Sequence, residues 1–205
     1  MRDNNVINSS SSLRQKQKDA VRLSILESAS RLVAQGGAEA LSLRKVAEDV
    51  GASTMVVYTA FGSKEGLLDA LWVEGFRRLW ELEESALKLT DPMQRLRALG
   101  HAYRRNAMHN PYFYKLVFGG QLPKCASGEE DLACARTFEV LIEAVAACQK
   151  SGLLTGEIAA SDIAAMLWSA AHGAISLQLA DMFEKWADGE KIYEQNFDCL
   201  IRGLK

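Results

Sequence analysis

Between Gly36 and Ser63 the sequence stops and restarts a helical pattern several times, and that punctuation limits the fold more than any other feature. Gly36-Gly37 closes a first run in which Val21, Ile25, Ala29 and Leu32 recur at helical spacing, with Leu26 and Val33 widening the stripe. Ser42 stands where a cap belongs, ahead of a short run with apolar Leu43, Val46, Ala47 and Val50. Gly51 breaks that run. Ser53 can cap the next one, which reaches about Phe61, and after Gly62 breaks again Ser63 caps a long helix from Lys64. These turns are too tight for a loose bundle. Two helices joined by a short Gly-containing turn are the pattern of a helix-turn-helix, a spacing that ordinary helical proteins also show.

Beyond Lys64 the helices lengthen. Periodicity predicts one from Leu67 to about Leu89 and a second opened by Asp91-Pro92 and ended near Asn110-Pro111. A short aromatic helix spans Tyr112 to Phe118, and Gln121 to Gly128 reads as a loop. Three more helices are predicted, at about Glu129–Ser151, Ser161–Phe183 and Glu190–Leu204. With 3 prolines and few alternating runs, the expected class is all-α. The expected organisation is a disordered polar and basic tail over 1–16, a three-helix helix-turn-helix domain over 17–63, and a larger helical domain over 64–205.

Charge is unevenly spread. The whole chain has a formal net charge of −2, yet Arg14, Lys16, Lys18 and Arg22 stand against Asp19 alone between Leu13 and Arg22. A basic N-terminal edge on an acidic body suggests a local polyanion contact, or else an idle solvated tail. Cys125, Cys134, Cys148 and Cys199 form no Cys-x-x-Cys pair and have no His at metal-finger spacing, so buried, reduced thiols in a cytoplasmic protein are expected, with no metal site. The polar N-terminus predicts no secretory leader. Ile163 to Ala180 lacks Asp, Glu, Lys and Arg, but Ser169, His172, Ser176 and Gln178 make it a helix buried among helices and not a membrane span.

The run Leu41 to Leu68, LSLRKVAEDVGASTMVVYTAFGSKEGLL, resembles the DNA-binding segment of the TetR family. Ser42, Val46-Ala47, Gly51, Ser53, Tyr58 with Phe61, and Ser63-Lys64-Glu65 followed by Leu67-Leu68 carry the likeness. Ala60 departs from it, standing where the family often has His. The likeness is strong from Lys18 to about Leu71. Further on, Trp168-x-x-x-His172-Gly173 and His109-Asn110-Pro111-Tyr112 look like the regulatory domain of family members with a Trp-His-Gly signature. The resemblance implies a homodimer joined through the last two long helices, a palindromic operator in double-stranded DNA, and a small, mainly apolar effector that enters the helical body and releases the DNA. It implies no cofactor.

A recognition helix places small side chains against base edges and anchors on flanking phosphates. Ser53, Thr54, Met55, Val56 and Thr59 are the groove candidates, with Arg44 of the preceding helix the best base reader. Tyr58 is turned about 100° from Val57, so it suits a phosphate bond where Val57 and Phe61 suit the core; a core role for Tyr58 is the alternative. Ser42 and Ser53 read as caps or as phosphate-binding helix starts. Lys64 opposes its own helix dipole, which fits a phosphate contact or a plain surface lysine.

In the body, Trp72, Phe76, Tyr103, Tyr112, Trp168 and His172 are the candidate ligand residues, because an apolar site needs a few convergent polar groups. His172 reads equally as a core histidine bonded to a backbone carbonyl. Gly173 with Ala164, Ala165, Ala170, Ala171 and Ala174 suits close approach of another helix. No His-Glu-x-x-His, Gly-rich phosphate loop or Gly-x-Ser-x-Gly elbow points to catalysis, so no catalytic residue is assigned. A scaffold for protein partners would explain the long helices but not the run from Leu41 to Leu68.

Overall fold

A computed structural model describes residues 4–119 and 129–205, and these contain helices and no strand. In chain order they are α1 (Asn4–Gly36), a 3-10 turn (Ala38–Ala40), α2 (Leu43–Asp49), α3 (Thr54–Phe61), α4 (Lys64–Leu87) and α5 (Pro92–His109). α6 (Pro111–Phe118), α7 (Glu129–Lys150), α8 (Ala160–Leu179) and α9 (Gly189–Gly203) follow. The chain divides into two compact units, one of residues 1–75 with 115–128 and one of residues 76–114 with 129–205. The sequence-based boundary at Ser63 is the start of α4; the units part further on, within that helix. The expected loop at Gln121–Gly128 lies outside the described residues.

The first unit buries Ile25, Leu26, Ala29 and Val33 of α1, Leu43, Val46 and Ala47 of α2, Val57 of α3, and Leu67, Leu68 and Leu71 of α4. Each large apolar side chain among these is worth about 1.5–3 kcal/mol when fully removed from water. Gly51 between α2 and α3 takes φ +66°, and Gly62 at the end of α3 takes φ +75°, conformations in which a β-carbon is strained. The Gly62 N–H donates to the Tyr58 carbonyl at 2.8 Å, closing α3. Arg31 pairs with Asp49 at 2.6 Å and so ties α1 to the end of α2.

Three local expectations are corrected here. α1 begins at Asn4, where the sequence predicts a disordered tail to residue 16: no Pro or Gly interrupts the chain before Gly36, and a nucleated helix propagates at little cost. Val21 is exposed and the buried stripe starts at Ile25. Ser42 and Ser53 hold the extended backbone of N-cap residues, yet neither side chain makes a capping bond. Ser63 does, its Oγ accepting from the Gly66 N–H at 3.1 Å.

The second unit is built on α5, α7, α8 and α9. Its core includes Leu96 and Leu99 of α5, Val140, Ala144, Val145 and Cys148 of α7, Ile163, Ala164 and Leu167 of α8, and Ile201 of α9. Asp91 caps α5 by accepting from the Gln94 N–H at 2.7 Å, with Pro92 in the first turn. α8 ends at Leu179, short of the expected Phe183, because Asp181 adopts φ 57° and the Met182 N–H turns back to the Leu177 carbonyl at 3.0 Å. α9 lies along α5 through long side chains: the Tyr193 hydroxyl donates to the Gly100 carbonyl at 2.7 Å and Arg97 pairs with Asp198 at 2.7 Å. Ala164 and Ala174 are buried in their own unit, while Gly173 is exposed. Cys148 is a buried thiol, but Cys199 is exposed, which corrects the expectation of uniformly buried cysteines; the side chains of Cys125 and Cys134 lie outside the described residues.

Candidate nucleic-acid interface and ligand site

α3 is an eight-residue helix with one side in and one side out. Val57 is fully buried and holds the helix to its unit. Ser53, Thr54, Met55, Val56, Tyr58 and Thr59 are all exposed, Met55 to 72% and Tyr58 to 50%. A methionine left that far in water on a helix so well anchored is an apolar probe without an internal role. Tyr58 is half exposed, which removes the core reading for its ring. The Thr59 hydroxyl donates to the Met55 carbonyl at 2.8 Å, so its oxygen is left to accept.

On α2, Arg44 is exposed and its Nε donates to Glu48 at 3.0 Å, an ion pair that water screens and that a stronger acceptor can displace. Ser42 and Lys64 are half-buried at the starts of α2 and α4. Of the nine residues assigned to this surface from sequence, Arg44, Ser53, Thr54, Met55, Val56, Tyr58 and Thr59 are exposed, and Ser42 and Lys64 are half-buried.

A different cluster lies in the second unit, where α5, α6 and α8 meet. Trp168 Nε1 donates to the Tyr103 hydroxyl at 3.1 Å, and Tyr103 donates to the Tyr114 hydroxyl at 3.3 Å. The Tyr114 hydroxyl lies 2.7 Å from His172 Nδ1, and Tyr103 lies 3.2 Å from the same nitrogen. Ser176 Oγ sits 3.4 Å from His172 Nε2. One assignment fits these contacts: Tyr114 donates to a neutral His172 at Nδ1, and Nε2–H donates to Ser176. Burial depresses the His172 pKa from its ordinary value and favours that neutral ring. Burial likewise raises Tyr103, and it pushes Tyr114 up to about 12, so both stay protonated donors.

Tyr103, Trp168 and His172 are therefore brought together, and side-chain hydroxyls lie at both ring nitrogens of His172. Phe76 is buried in the same unit, Tyr112 is exposed at the start of α6, and Trp72 is half-buried in the first unit. Sequence reasoning misses Tyr114 and Ser176. Ser176 follows His172 by four residues, on the face that Trp168 and His172 already share, and that spacing could have found it. Nothing in the linear spacing points to Tyr114, which stands on another helix.

Among the described residues no group of three His, Cys, Asp or Glu side chains is placed to hold a metal ion. No helix of the described residues is long and apolar enough to cross a membrane. Burial pushes the Glu83 carboxyl on α4 up to about 8.

Residues 25–71 match the sequence profile of bacterial regulatory proteins of the tetR family. Residues 96–202 match the profile of the tetracyclin repressor-like C-terminal domain, which covers more than half of the chain. The chain is 27% identical over 154 residues to the HTH-type transcriptional regulator Rv1816 of Mycobacterium tuberculosis, a match covering 73% of this chain and 64% of that protein. It therefore spans less than two thirds of that curated relative. A protein of unknown function from Rhodococcus sp. RHA1 has a similar structure, with a TM-score of 0.74, 28% identity and coverage of 90% of this chain and 95% of the other. The TetR family transcriptional regulator PfmR of Thermus thermophilus shares the fold with a TM-score of 0.71 at 24% identity, over 88% of this chain and 98% of the other.

Proposed function

The chain belongs to the tetR family of bacterial regulatory proteins, a family of DNA-binding transcription regulators, and we propose that it is a ligand-responsive repressor that grips a palindromic operator as a homodimer. The observation that carries the DNA reading is the outward side of α3, where Thr54, Met55, Tyr58 and Thr59 project from a helix pinned by buried Val57. Thr54 and Met55 suit base edges and thymine methyls. Tyr58, Lys64 and the uncapped starts at Ser42 and Ser53 suit phosphates, and Arg44 suits either.

The dimer reading rests on α8. Met166, Ala170, Gly173 and Leu177 fall on one stripe at helical spacing, and Met166, Gly173 and Leu177 are exposed. A second copy would bury this stripe, and two recognition helices set about 34–36 Å apart would meet successive major grooves. Trp168, Tyr103, Tyr114 and His172 are the residues on which a small, mainly apolar effector with one polar group would settle. It induces only if it binds the DNA-incompetent state better than the competent one.

The test is a gel-shift titration with the DNA upstream of the protein's own gene against a duplex of shuffled sequence. Tighter binding to the upstream duplex supports the reading, and equal binding to both contradicts operator recognition. A thermal-shift screen of small apolar compounds then finds effectors, because a ligand of the native state raises stability by mass action.

A further inference from the structure

The exposed stretch Ser12–Ser24 of α1 carries a basic stripe that the α3 surface does not include. Arg14, Lys18 and Arg22 recur every four residues, which on a helix turns each by only about 40° from the last, so they share one side. Every residue from Ser12 to Ser24 is exposed. Asp19 lies off this side and accepts from Gln15 Nε2 at 2.9 Å. Lys16 lies on the opposite side of the helix.

Arg22 fixes where the stripe begins. Its guanidinium donates to the Ala60 carbonyl at 2.9 Å and lies 4.4 Å over the Phe61 ring. Ala60 and Phe61 are the last two residues of α3. The stripe therefore starts at the C-terminal end of α3 and runs away from it along α1 for about 12 Å, eight residues at 1.5 Å each.

We propose that Arg14, Lys18 and Arg22 form a sequence-independent clamp on the DNA backbone beside the groove that α3 enters; this rests on the DNA reading above. Cations on an exposed helix face match a row of phosphates, and contact with them releases condensed counterions, which makes binding salt-dependent. A lipid surface fits the helix less well. The side opposite the stripe mixes Lys16 with Leu13, Ala20 and Leu23, and so lacks the continuous apolar face that an interfacial helix buries.

The experiment uses fluorescence anisotropy of a short, labelled, mixed-sequence DNA duplex across a salt series. The proteins are the parent, the double variant Arg14→Gln/Lys18→Gln and the control Lys16→Gln. All three substituted positions are exposed, and circular dichroism checks that the fold is retained. Each lost phosphate contact lowers the log–log slope by about 0.9, so the double variant loses about 1.8 per bound protomer while the control keeps the parent's slope. A parent-like slope in the double variant overturns the clamp, and so does a control whose slope falls as far as the double variant's. Loss of binding to phosphatidylserine-containing vesicles by the double variant, with its DNA slope unchanged, assigns the stripe to lipid and overturns it too. A parent that binds no duplex at all overturns the DNA reading itself and the clamp with it.

Discussion

Replacing Glu83 by glutamine removes a titration buried in the second unit. Glu83 is 5% exposed on α4, its Oε2 makes no hydrogen bond among the described residues, and burial lifts its carboxyl from the ordinary 4.5 to about 8. Between those two values the unfolded chain has released the proton and the folded chain still holds it. Stability therefore falls as pH rises through that window, by about 1.4 kcal/mol per pH unit for one proton. Glutamine cannot titrate. The stability difference between Glu83→Gln and the parent should grow in the variant's favour by roughly 2.5 kcal/mol from pH 5 to pH 7. In a chain of this length that is roughly 5–10 °C in Tm. A buried amide left unbonded costs about 1–3 kcal/mol at every pH, so the slope with pH carries the test and the intercept does not. The assay is thermal or urea unfolding of both proteins at pH 5, 6 and 7, at one protein concentration. A difference that does not change with pH would refute a protonated Glu83.

Two further perturbations follow from the same structure. His172 titrates in the opposite sense: burial depresses its pKa below 6.5, so its contribution to stability is present above 6.5 and is lost as pH falls below it. His172→Gln should flatten that acid limb in unfolding experiments, and an unchanged limb would contradict a neutral ring at rest. Leu177 is 47% exposed on the α8 stripe, so Leu177→Glu should leave each protomer folded and convert dimers to monomers in sedimentation. Persistent dimers would move the interface elsewhere. Ala174, buried within its own unit, would test folding instead.

Local chemistry was legible in the sequence and assembly was not. Gly51, Gly62, Ser63 and Asp91-Pro92 announced helix ends because left-handed glycines, a side-chain cap and a first-turn proline act within one turn of chain. The exposed side of α3 was legible for the same reason, since Val57 and Tyr58 differ by one residue and thus by a known rotation. Ser42 and Ser53 misled: position sets the backbone of a cap, but the side chain still chooses its rotamer. The hydroxyl relay to His172 was half legible. Trp168, His172 and Ser176 share a helix face, whereas Tyr103 and Tyr114 reach it from α5 and α6, and only tertiary packing brings them there. The length of α1 was misread because composition weighs serines and charges residue by residue, while a helix without a breaker extends cooperatively from its packed end.

The central claim is that α3 lies in the groove of DNA, and the most direct measurement titrates parent, Tyr58→Phe and Thr54→Ala on the upstream duplex and on single-base variants of it at fixed salt. Tyr58→Phe should weaken binding to every duplex by about 1 kcal/mol per hydrogen bond lost, because a phosphate contact carries no sequence information. Thr54→Ala should change the order of preference among the duplexes. Two variants that bind every duplex as the parent does would contradict the placement of α3 in the groove.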